Sequence, residues 1–198
     1  MNWDEIIKWS GWIVSIIGVL IAFYYGLKSQ EQKKRLQTVD WSEIHAATAY
    51  LSRKIKIDGV PTVFLATDAR GGILSRLIEE RYQSDSPILI GFCRLSSDPL
   101  SKEDVVGFQK ISTPKWTYFI PKKILDYKNS RILLVDDATF TGQSLVSIKN
   151  WLIENGCKQI STCTILASEI SVKQEICADY FWSVTNQSEM TFPWGRVR

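Results

Sequence analysis

The sequence is poor in the residues from which many catalytic and metal sites are built. Its only histidine, His45, falls on a predicted helix, so catalytic triads that depend on histidine are excluded. The net charge of +3 is too small to indicate a nucleic-acid partner. The 198 residues contain no internal repeat and suffice for one domain with an appendage. The four cysteines lack metal-type spacing: Cys93, Cys157, Cys163 and Cys177. Three of them fall in or near apolar, strand-like runs, which predicts buried, reduced thiols.

One long stretch near the N-terminus lacks charge altogether. Residues 9–27 are mostly apolar, and as a helix they would span roughly 28 Å, close to the thickness of the hydrocarbon core of a bilayer. Tryptophans mark the start of the stretch and tyrosines mark its end, where aromatic belts occur. A cleaved signal peptide is disfavoured by the acidic start and by the lack of a small-residue cleavage site. A buried core helix is disfavoured because helices this apolar are rare in so small a domain.

The charges that flank this stretch predict its orientation. Lysines and an arginine follow it, whereas the lysine before it is accompanied by two acidic residues. The positive-inside rule therefore predicts a single-pass membrane protein whose N-terminus lies outside and whose C-terminal domain is cytoplasmic. The predicted organisation is a tail (1–8), a transmembrane helix (9–27), a basic linker (28–38) and a globular domain (39–198).

The most informative stretch of the domain is ILLVDDATFTGQSL, which begins at Ile132. Its apolar start predicts a short buried strand, Ile132–Val135, in a parallel sheet. Asp136 and Asp137 follow at the carboxyl end of that strand, the usual ligand edge of an open α/β sheet. A loop at 138–142 leads into a helical pattern with one apolar face, formed by Leu145, Ile148 and Leu152.

This order of strand, acidic pair, loop and helix suits a phosphorylated sugar. Thr141, Gly142 and Ser144 offer hydroxyls and unpaired backbone N–H groups at a helix N-terminus, where the partial positive charge favours phosphate. The two carboxylates can accept bonds from ribose hydroxyls and lie near any Mg²⁺ that a diphosphate carries. The plain alternative is a strand that ends in two solvated aspartates, but the full pattern favours phosphosugar binding.

The chain before this motif predicts a helix, a strand and a second helix. Asp40 and Glu43 are spaced as a capping box for a helix with an apolar stripe, and Gly59 ends that unit. A buried strand at Thr62–Ala66 runs into ARGG, a loop that enters the next helix. The guanidinium of Arg70 can pair with diphosphate oxygens, and the glycines expose backbone donors. Further strands are predicted at Ile88–Cys93, Trp116–Ile120, Ser161–Leu166 and Tyr180–Val184, with a long polar loop at 94–114.

Together these motifs resemble the type I phosphoribosyltransferases, in particular the purine enzymes of the xanthine-guanine group. The matching features are the apolar run with DD and T-G-x-S, the A-R-G-G loop before a helix, the opening DWSEIH and the terminal FPW. The resemblance covers nearly all of residues 40–194. It implies an α/β fold with a central, mostly parallel sheet flanked by helices, a small C-terminal hood, and a mobile loop within 94–114 that closes over the reaction centre.

The resemblance also implies a site for phosphoribosyl diphosphate (PRPP) with Mg²⁺. Asp136 and Asp137 would be the catalytic residues, and they would hold the ribose and, through PRPP, the metal. The implied ribose and 5′-phosphate site continues through Ala138, Thr139, Phe140, Thr141, Gly142, Gln143 and Ser144. The implied pyrophosphate loop comprises Ala69, Arg70, Gly71 and Gly72. The implied base hood comprises Ser168, Glu189, Phe192 and Trp194.

Four positions depart from the pattern of the family. Phe140 replaces the aspartate that is the candidate base at the purine ring nitrogen, and phenylalanine cannot move a proton. Ser168 stands where a lysine usually binds the purine's exocyclic oxygen, and Glu189 aligns with the stacking aromatic of the hood. Asp68 replaces an apolar residue, and its charge would either repel a diphosphate or help to hold Mg²⁺. Purine recognition is therefore predicted to be changed or lost, while the phosphosugar half is kept.

Two functions follow from this combination. The first is a membrane-anchored phosphoribosyltransferase that moves phosphoribose from PRPP to a nucleobase-like acceptor and releases pyrophosphate. The second is a catalytically weak module that senses PRPP or a nucleotide and signals at the membrane, which the tether and Phe140 favour. A purely structural anchor protein does not explain why both phosphate loops are present. The predicted partners are PRPP or a related phosphosugar or nucleotide, the bilayer through residues 9–27 and, as in the family, a second copy of the chain.

Overall fold

The computed structural model describes residues 17, 19–21, 23–24, 36–97, 105–187 and 189–197. The predicted tail lies outside this part of the chain, as do most of the predicted transmembrane helix and of the basic linker. The described residues of the apolar stretch are helical and exposed: Ile17, residues 19–21, Phe23 and Tyr24. No helix within the described part of the chain is both long and apolar enough to cross a bilayer.

Strands and helices alternate through most of the domain. In chain order the elements are β1 (Leu36–Thr38), α1 (Trp41–Asp58), β2 (Val63–Ala66), α2 (Ala69–Tyr82), β3 (Ile88–Ile90), β4 (Phe92–Leu95), β5 (Phe108–Ser112), β6 (Trp116–Pro121), a 3₁₀-helix (Lys122–Tyr127), β7 (Arg131–Val135), β8 (Ala138–Thr139), α3 (Gln143–Glu154), β9 (Gln159–Ser168), α4 (Glu169–Lys173), β10 (Tyr180–Thr185), β11 (Glu189–Phe192) and β12 (Gly195–Val197).

A parallel sheet forms the centre of the domain, with the strand order β10–β9–β7–β2–β3, and β8 pairs with β9 beside this path. Every residue of β2 and the last four residues of β7 are buried, as expected for strands that are covered on both faces. Alternate residues enter two cores: Phe64 and Leu133 pack with α1 and α2, whereas Leu65 and Leu134 pack with α3. The predicted α/β fold with a mostly parallel sheet is confirmed.

α1 and α3 begin and bury their faces where the sequence pattern predicts. Asp40 and Glu43 form a capping box at the start of α1, because the Glu43 N–H donates to Asp40 Oδ1 at 2.9 Å and the Asp40 N–H donates to Glu43 Oε2 at 3.0 Å. The C-cap of α1 is Gly59, as predicted. The apolar face of α3 is buried against the sheet through Leu145, Ile148 and Leu152.

The hood is a three-stranded sheet of order β1–β11–β12 that uses both ends of the domain. β1 pairs in parallel with β11, and β11 pairs with β12 in the antiparallel sense. Residues 36–38, predicted as the end of the linker, are therefore a strand of the hood, and Val39 beside them is buried in the core. Three residues are too few to show a hydrophobic period, which is why the sequence did not predict this strand.

An antiparallel sheet of order β4–β6–β5 forms a flap beside the central sheet. The predicted strand at Ile88–Cys93 is wrong as a single element: it breaks at Gly91, so that β3 belongs to the central sheet and β4 to the flap. The predicted loop at 94–114 contains β5, and part of it lies outside the described residues. Phe92 stacks on Phe119 with 4.6 Å between ring centroids, which ties β4 to β6.

Candidate active site

A cleft of about 560 Å³ lies at the carboxyl ends of β2 and β7. Its walls come from the start of α2, the loop between β7 and α3, the turn between β5 and β6, and β12 of the hood. This edge of a parallel sheet is where open α/β folds bind ligands. The lining residues include Arg70, Trp116, Asp136, Asp137, Gly142 and Arg196.

Two turns that lie far apart in the sequence meet in this cleft. Arg70 Nε lies 3.7 Å from Asp137 Oδ2, and the Asp137 side chain is 1% exposed. Gly71 allows the close packing of α2 on the end of β7, because a Cβ at this position would lie 2.5 Å from the carbonyl oxygen of Val135. The predicted phosphate loop and, through Arg70 alone, the predicted pyrophosphate loop therefore line one cavity.

Asp136 and Asp137 form the floor of the cleft, and both are buried. Burial raises the pKa of Asp137 to about 6, while the charge of Arg70 acts in the opposite direction. Burial, followed by the charges of Asp137 and Asp68, raises the pKa of Asp136 well above its ordinary value. The Asp137 N–H donates to Asp136 Oδ1 at 2.9 Å, which orients the Asp136 side chain. The pair is placed to accept hydrogen bonds from sugar hydroxyls.

The first turn of α3 presents open backbone donors to the cleft. No side chain of the described residues caps this helix, whereas aspartates cap both α1 and α2. Gly142 has a φ of +74°, and a Cβ there would lie 1.8 Å from the carbonyl oxygen of Ile176. Thr139 Oγ1 is buried and has no hydrogen-bond partner within the described part of the chain. Open N–H groups, a buried hydroxyl and the helix dipole together suit a phosphate group.

The predicted pyrophosphate loop is the first turn of α2 rather than a loop. Its N-cap is Asp68, whose Oδ1 accepts from the N–H groups of Arg70 at 2.9 Å and Gly71 at 3.1 Å. Asp68 Oδ2 accepts from Nε and Nη2 of Arg70 at 2.9 and 2.7 Å. Burial lowers the pKa of Arg70, but the charges of Asp137 and Asp68 outweigh it, so the guanidinium stays charged. The donors predicted for a diphosphate therefore already have a partner in the chain.

The sequence matches a family model along nearly the whole domain. The model, described as the phosphoribosyl transferase domain, covers residues 40–195. The chain belongs to the phosphoribosyl transferase domain family. The predicted enzyme class, a phosphoribosyltransferase, is confirmed by this match together with the fold. No curated protein sequence matches the chain.

Several solved structures share this phosphoribosyltransferase fold at low sequence identity. A purine phosphoribosyltransferase from Pyrococcus horikoshii has a TM-score of 0.58 and 16% identity, over 83% of this chain and 97% of its own. A xanthine-guanine-hypoxanthine phosphoribosyltransferase from Helicobacter pylori has a TM-score of 0.54 and 14% identity, over 80% and 91%. A hypothetical protein from Neisseria gonorrhoeae with bound ppGpp has a TM-score of 0.53 and 14% identity, over 81% and 89%. At such identities the likeness shows the fold alone.

Two of the residues predicted for the base hood of this phosphoribosyltransferase are engaged within the fold. The Ser168 hydroxyl caps α4 by accepting from the Ser171 N–H at 3.1 Å, and it donates to the carbonyl oxygen of Phe140. Glu189 forms an ion pair with Arg196. Ser168 and Glu189 are not among the residues that line the cleft, whereas Arg196 is. The alignment that suggested them could not reveal these local partners.

The terminal FPW motif joins the hood to the aspartate pair. Phe192 is buried and stacks on Trp194, with 5.3 Å between ring centroids and 2° between the planes. Trp194 also meets the Trp41 ring edge-on at 5.9 Å. Its Nε1 donates to Asp137 Oδ2 at 3.2 Å. Trp194, predicted to cover a base, is thus in direct contact with the carboxylate predicted to hold the ribose.

The flap and the hood contribute a wall that sequence reasoning missed. Lys115, Trp116 and Tyr118 from the flap line the cleft together with Arg196 from β12. The Lys115 Nζ lies 5.4 Å from the centroid of the Trp116 ring. Burial raises the pKa of the Tyr118 hydroxyl above its ordinary value, and the charge of Asp136 adds to this effect. A cation next to two aromatics was visible in the sequence, but only the tertiary fold brings it to the aspartates.

The residues present fit a magnesium ion that arrives with a diphosphate. Across the described ranges, no group of three or more histidine, cysteine, aspartate or glutamate side chains is arranged to hold a metal ion. Asp136 and Asp137 nevertheless offer carboxylate oxygens at the floor of the cleft. Mg²⁺ commonly binds through one or two carboxylates together with substrate phosphates and water, so these two residues would hold it in part.

Proposed function

We propose that this chain is a membrane-held phosphoribosyltransferase that binds PRPP with Mg²⁺ and transfers phosphoribose to a nucleobase-like acceptor, with release of pyrophosphate. The observation that carries the proposal is the meeting of both phosphate turns at the aspartate pair, where Arg70 Nε lies 3.7 Å from Asp137 Oδ2. The cleft thereby has open donors for the 5′-phosphate, donors held by Asp68 at the diphosphate end, and acceptors for the hydroxyls between them.

Each part of the sugar has a matching part of the cleft in this proposal. The 5′-phosphate lies at the open first turn of α3 and accepts from backbone N–H groups and from the Thr139 hydroxyl. The ribose hydroxyls donate to Asp136 and Asp137, and Arg70 faces the diphosphate. The carboxylates favour positive charge on the sugar as its bond to the diphosphate weakens. Mg²⁺, when bound with the diphosphate, neutralises charge on the leaving group.

A purine is the acceptor class that we propose, bound by contacts that differ from those of the family because Phe140, Ser168 and Glu189 replace its usual residues. Two of the fold neighbours are named as purine-type phosphoribosyltransferases, and the Trp116 ring offers a surface on which a base can stack. Phe140 lines the cleft where the family usually has an acid, so it cannot take a proton from the base. The acceptor must therefore lose its proton to solvent or to another group.

The test is release of pyrophosphate by the full-length protein in mild detergent. PRPP and Mg²⁺ are supplied with adenine, guanine, hypoxanthine or xanthine, each in a separate reaction. Release that depends on one of these bases supports the transferase. Binding of PRPP without release in any reaction would contradict it and support the sensor described next. If neither PRPP nor ribose 5-phosphate binds, the transferase and a PRPP sensor are both refuted, and only a nucleotide sensor is left to test.

A second candidate is a sensor of PRPP or a nucleotide that signals at the membrane. Two observations favour it: Phe140 offers no proton acceptor, and Asp68 takes the donors at the start of α2. A sensor needs affinity and not turnover, so both features are compatible with it. Because the N. gonorrhoeae protein of this fold was solved with ppGpp, ppGpp belongs in the ligand panel for this candidate.

The N-terminal stretch is the proposed anchor, with the N-terminus outside and the domain in the cytoplasm. Residues 9–27 carry no charge, and the helical side chains of Leu20 and Phe23 are 62% and 66% exposed. Exposed apolar side chains that adjoin one another are typical of surfaces that meet a membrane or another protein. Lysines and an arginine on the C-terminal side support the orientation. Homodimer formation, which the family resemblance implies, stays a prediction.

A further inference from the structure

The start of α2 is filled by a carboxylate of the chain itself. From the first turn of α2 Asp68 accepts four hydrogen bonds, two from the N–H groups of Arg70 and Gly71 and two from the Arg70 guanidinium, and it accepts a fifth from the Cys93 Sγ at 3.8 Å. The first four distances lie between 2.7 and 3.1 Å, and Asp68 is only 9% exposed. These four are the donors that the proposed function assigns to the diphosphate of the sugar.

The other long helices of the domain are capped differently. α1 also begins with an aspartate, Asp40, but that residue is exposed and is not among the residues that line the cleft. α3 begins at Gly142 and has no side-chain cap among the described residues. Within one cleft, therefore, the start of α3 is open to an anion, whereas the start of α2 already binds the Asp68 carboxylate.

We propose that Asp68 is a specificity-determining residue that competes with the diphosphate of the sugar substrate. While Asp68 holds the donors at the start of α2, the cleft binds a 5′-phosphorylated sugar about as well as PRPP, because the diphosphate finds neither open N–H groups nor an unpaired guanidinium. A diphosphate is bound in full only after the Asp68 side chain turns away. The inference rests on the proposed function and deepens it.

The charges around Arg70 support this competition. The carboxylates of Asp68 and Asp137 lie 2.7 and 3.7 Å from its guanidinium nitrogens. The charge of Asp136 adds to their effect in raising the pKa of Arg70. A diphosphate brings further negative charge to the same place, where like charges repel. Displacing Asp68 also breaks charge-assisted hydrogen bonds, which are stronger than neutral ones. A phosphate at the start of α3 meets neither obstacle.

Two sugars that differ only in the 1-diphosphate provide the test. PRPP and ribose 5-phosphate are titrated calorimetrically into the full-length protein in mild detergent, with Mg²⁺ present throughout. In the unchanged protein we expect dissociation constants within about threefold of each other. In Asp68→Asn the affinity for PRPP should rise by about tenfold or more, while that for ribose 5-phosphate stays within about twofold.

Matched variants separate this effect from helix capping. Asparagine caps helices about as well as aspartate, so Asp68→Asn removes the charge and keeps an acceptor for the first turn of α2. Asp40→Asn makes the same change at the start of α1 and should leave both affinities unchanged. Asp68→Ser, which also keeps a capping oxygen, replaces Asp68→Asn if thermal melting shows that the asparagine variant is unfolded.

Each remaining outcome is decisive. Unchanged PRPP affinity in the folded Asp68 variant would overturn the inference, and weaker PRPP binding would overturn it in favour of a role for Asp68 in holding Mg²⁺. A strong preference of the unchanged protein for PRPP would overturn it without any variant. If ribose 5-phosphate and PRPP both fail to bind every protein, the proposed function itself is refuted, and the inference falls with it.

Discussion

Asp136 and Asp137 are acidic side chains whose burial raises their pKa values, so their ionised forms oppose folding. Between the ordinary carboxyl pKa of 3.8 and about 6, the folded state binds more protons than the unfolded state. The free energy of unfolding therefore decreases as the pH rises through this range. Carboxyl groups with perturbed pKa values cluster at functional sites, and the role proposed for this pair is to accept hydrogen bonds from the ribose hydroxyls.

Removing both charges should separate binding from stability. We expect Asp136→Asn with Asp137→Asn to abolish calorimetric PRPP binding, while the melting temperature at pH 7 stays equal or rises by about 2–4 °C. The dependence of the melting temperature on pH between pH 4 and 7 should become flatter. Asp126→Asn, at an exposed position, should change none of these quantities. Retained PRPP binding in the double variant would contradict the role given to the pair.

Trp194 is placed to position Asp137 through the hydrogen bond from its indole nitrogen. Trp194→Phe keeps an aromatic ring beside Phe192 and loses that bond, so we expect turnover or PRPP affinity to fall by about tenfold or more. The bond lowers the pKa of Asp137, so its loss should raise that pKa and move the acidic limb of the pH profile to higher pH. A purely structural role for Trp194 would leave this limb in place.

Trp41→Phe is the matched control for Trp194→Phe. Trp41 meets Trp194 edge-on and is 51% exposed, so the same substitution disturbs the same aromatic cluster away from the aspartate. The pH profile should not move in this variant. An equal shift in both variants would show that packing of the hood, and not the indole N–H, determines the pKa of Asp137.

At the scale of the elements, the turn before α3 depends on one glycine. Gly142 and Gly156 both have positive φ, so an alanine at either position should cost about 1–2 kcal/mol of backbone strain. A Cβ at Gly142 would also lie 1.8 Å from the Ile176 carbonyl oxygen, whereas at Gly156 the nearest neighbour is the Lys128 Cδ at 3.7 Å. Gly142→Ala should therefore be clearly the more destabilising in urea unfolding, and it should weaken ribose 5-phosphate binding.

Gly156→Ala should lower the unfolding free energy only by its backbone strain and leave ribose 5-phosphate binding unchanged. Equal losses of stability in the two variants would show that the loop 138–142 moves away from Ile176 without cost. In that case the close contact at Gly142 would have no part in shaping the phosphate site.

The elements that sequence reasoning predicted correctly are those whose signals are local. A capping box and a 3.6-residue period predict α1, and a 3.6-residue period alone predicts α3. Unbroken apolar runs predict the central strands. β1 was missed because it has only three residues and its partner β11 lies at the other end of the domain. β5 was missed although its partner β6 is adjacent in the chain, because its sequence, FQKIS, is half polar and none of its residues is fully buried. The first turn of α2 was mistaken for a loop because ARGG has poor helix propensity, and the cap supplied by Asp68 went unnoticed.

The residues of the site likewise comprise those that a sequence motif predicts and those that only the tertiary fold brings to the cleft. Arg70 and the aspartate pair come from motifs that imply a shared ligand, and the fold brings them together. Trp116 and Arg196 belong to no such motif. They line the cleft because of how the flap and the hood pack, which the sequence does not reveal. Ser168 was proposed from an alignment position, and its actual partners are neighbours in the fold.

At the scale of the whole molecule, the proposed anchor predicts binding to membranes. Full-length protein should sediment with vesicles and resist extraction by high salt, because apolar burial is insensitive to screening. Lysines introduced together at Leu20 and Ile21 should reduce this association strongly, since each charge at a bilayer centre costs about 2.5–3.5 kcal/mol. Ile57→Lys, at an apolar side chain of α1 that is 80% exposed, is the control and should have no effect.

The hood is complete only when β1 has paired with β11. Leu36 and Glu189 are neighbours in the hood although roughly 150 positions of the chain separate them. During synthesis on the ribosome β1 emerges early, and almost the entire domain must follow before β11 is available for pairing. Trp194 arrives later still, so a nascent or prematurely terminated chain lacks the indole bond to Asp137. A chain that ends before Trp194 therefore has an incomplete cleft, because it also lacks the Arg196 side chain that lines it.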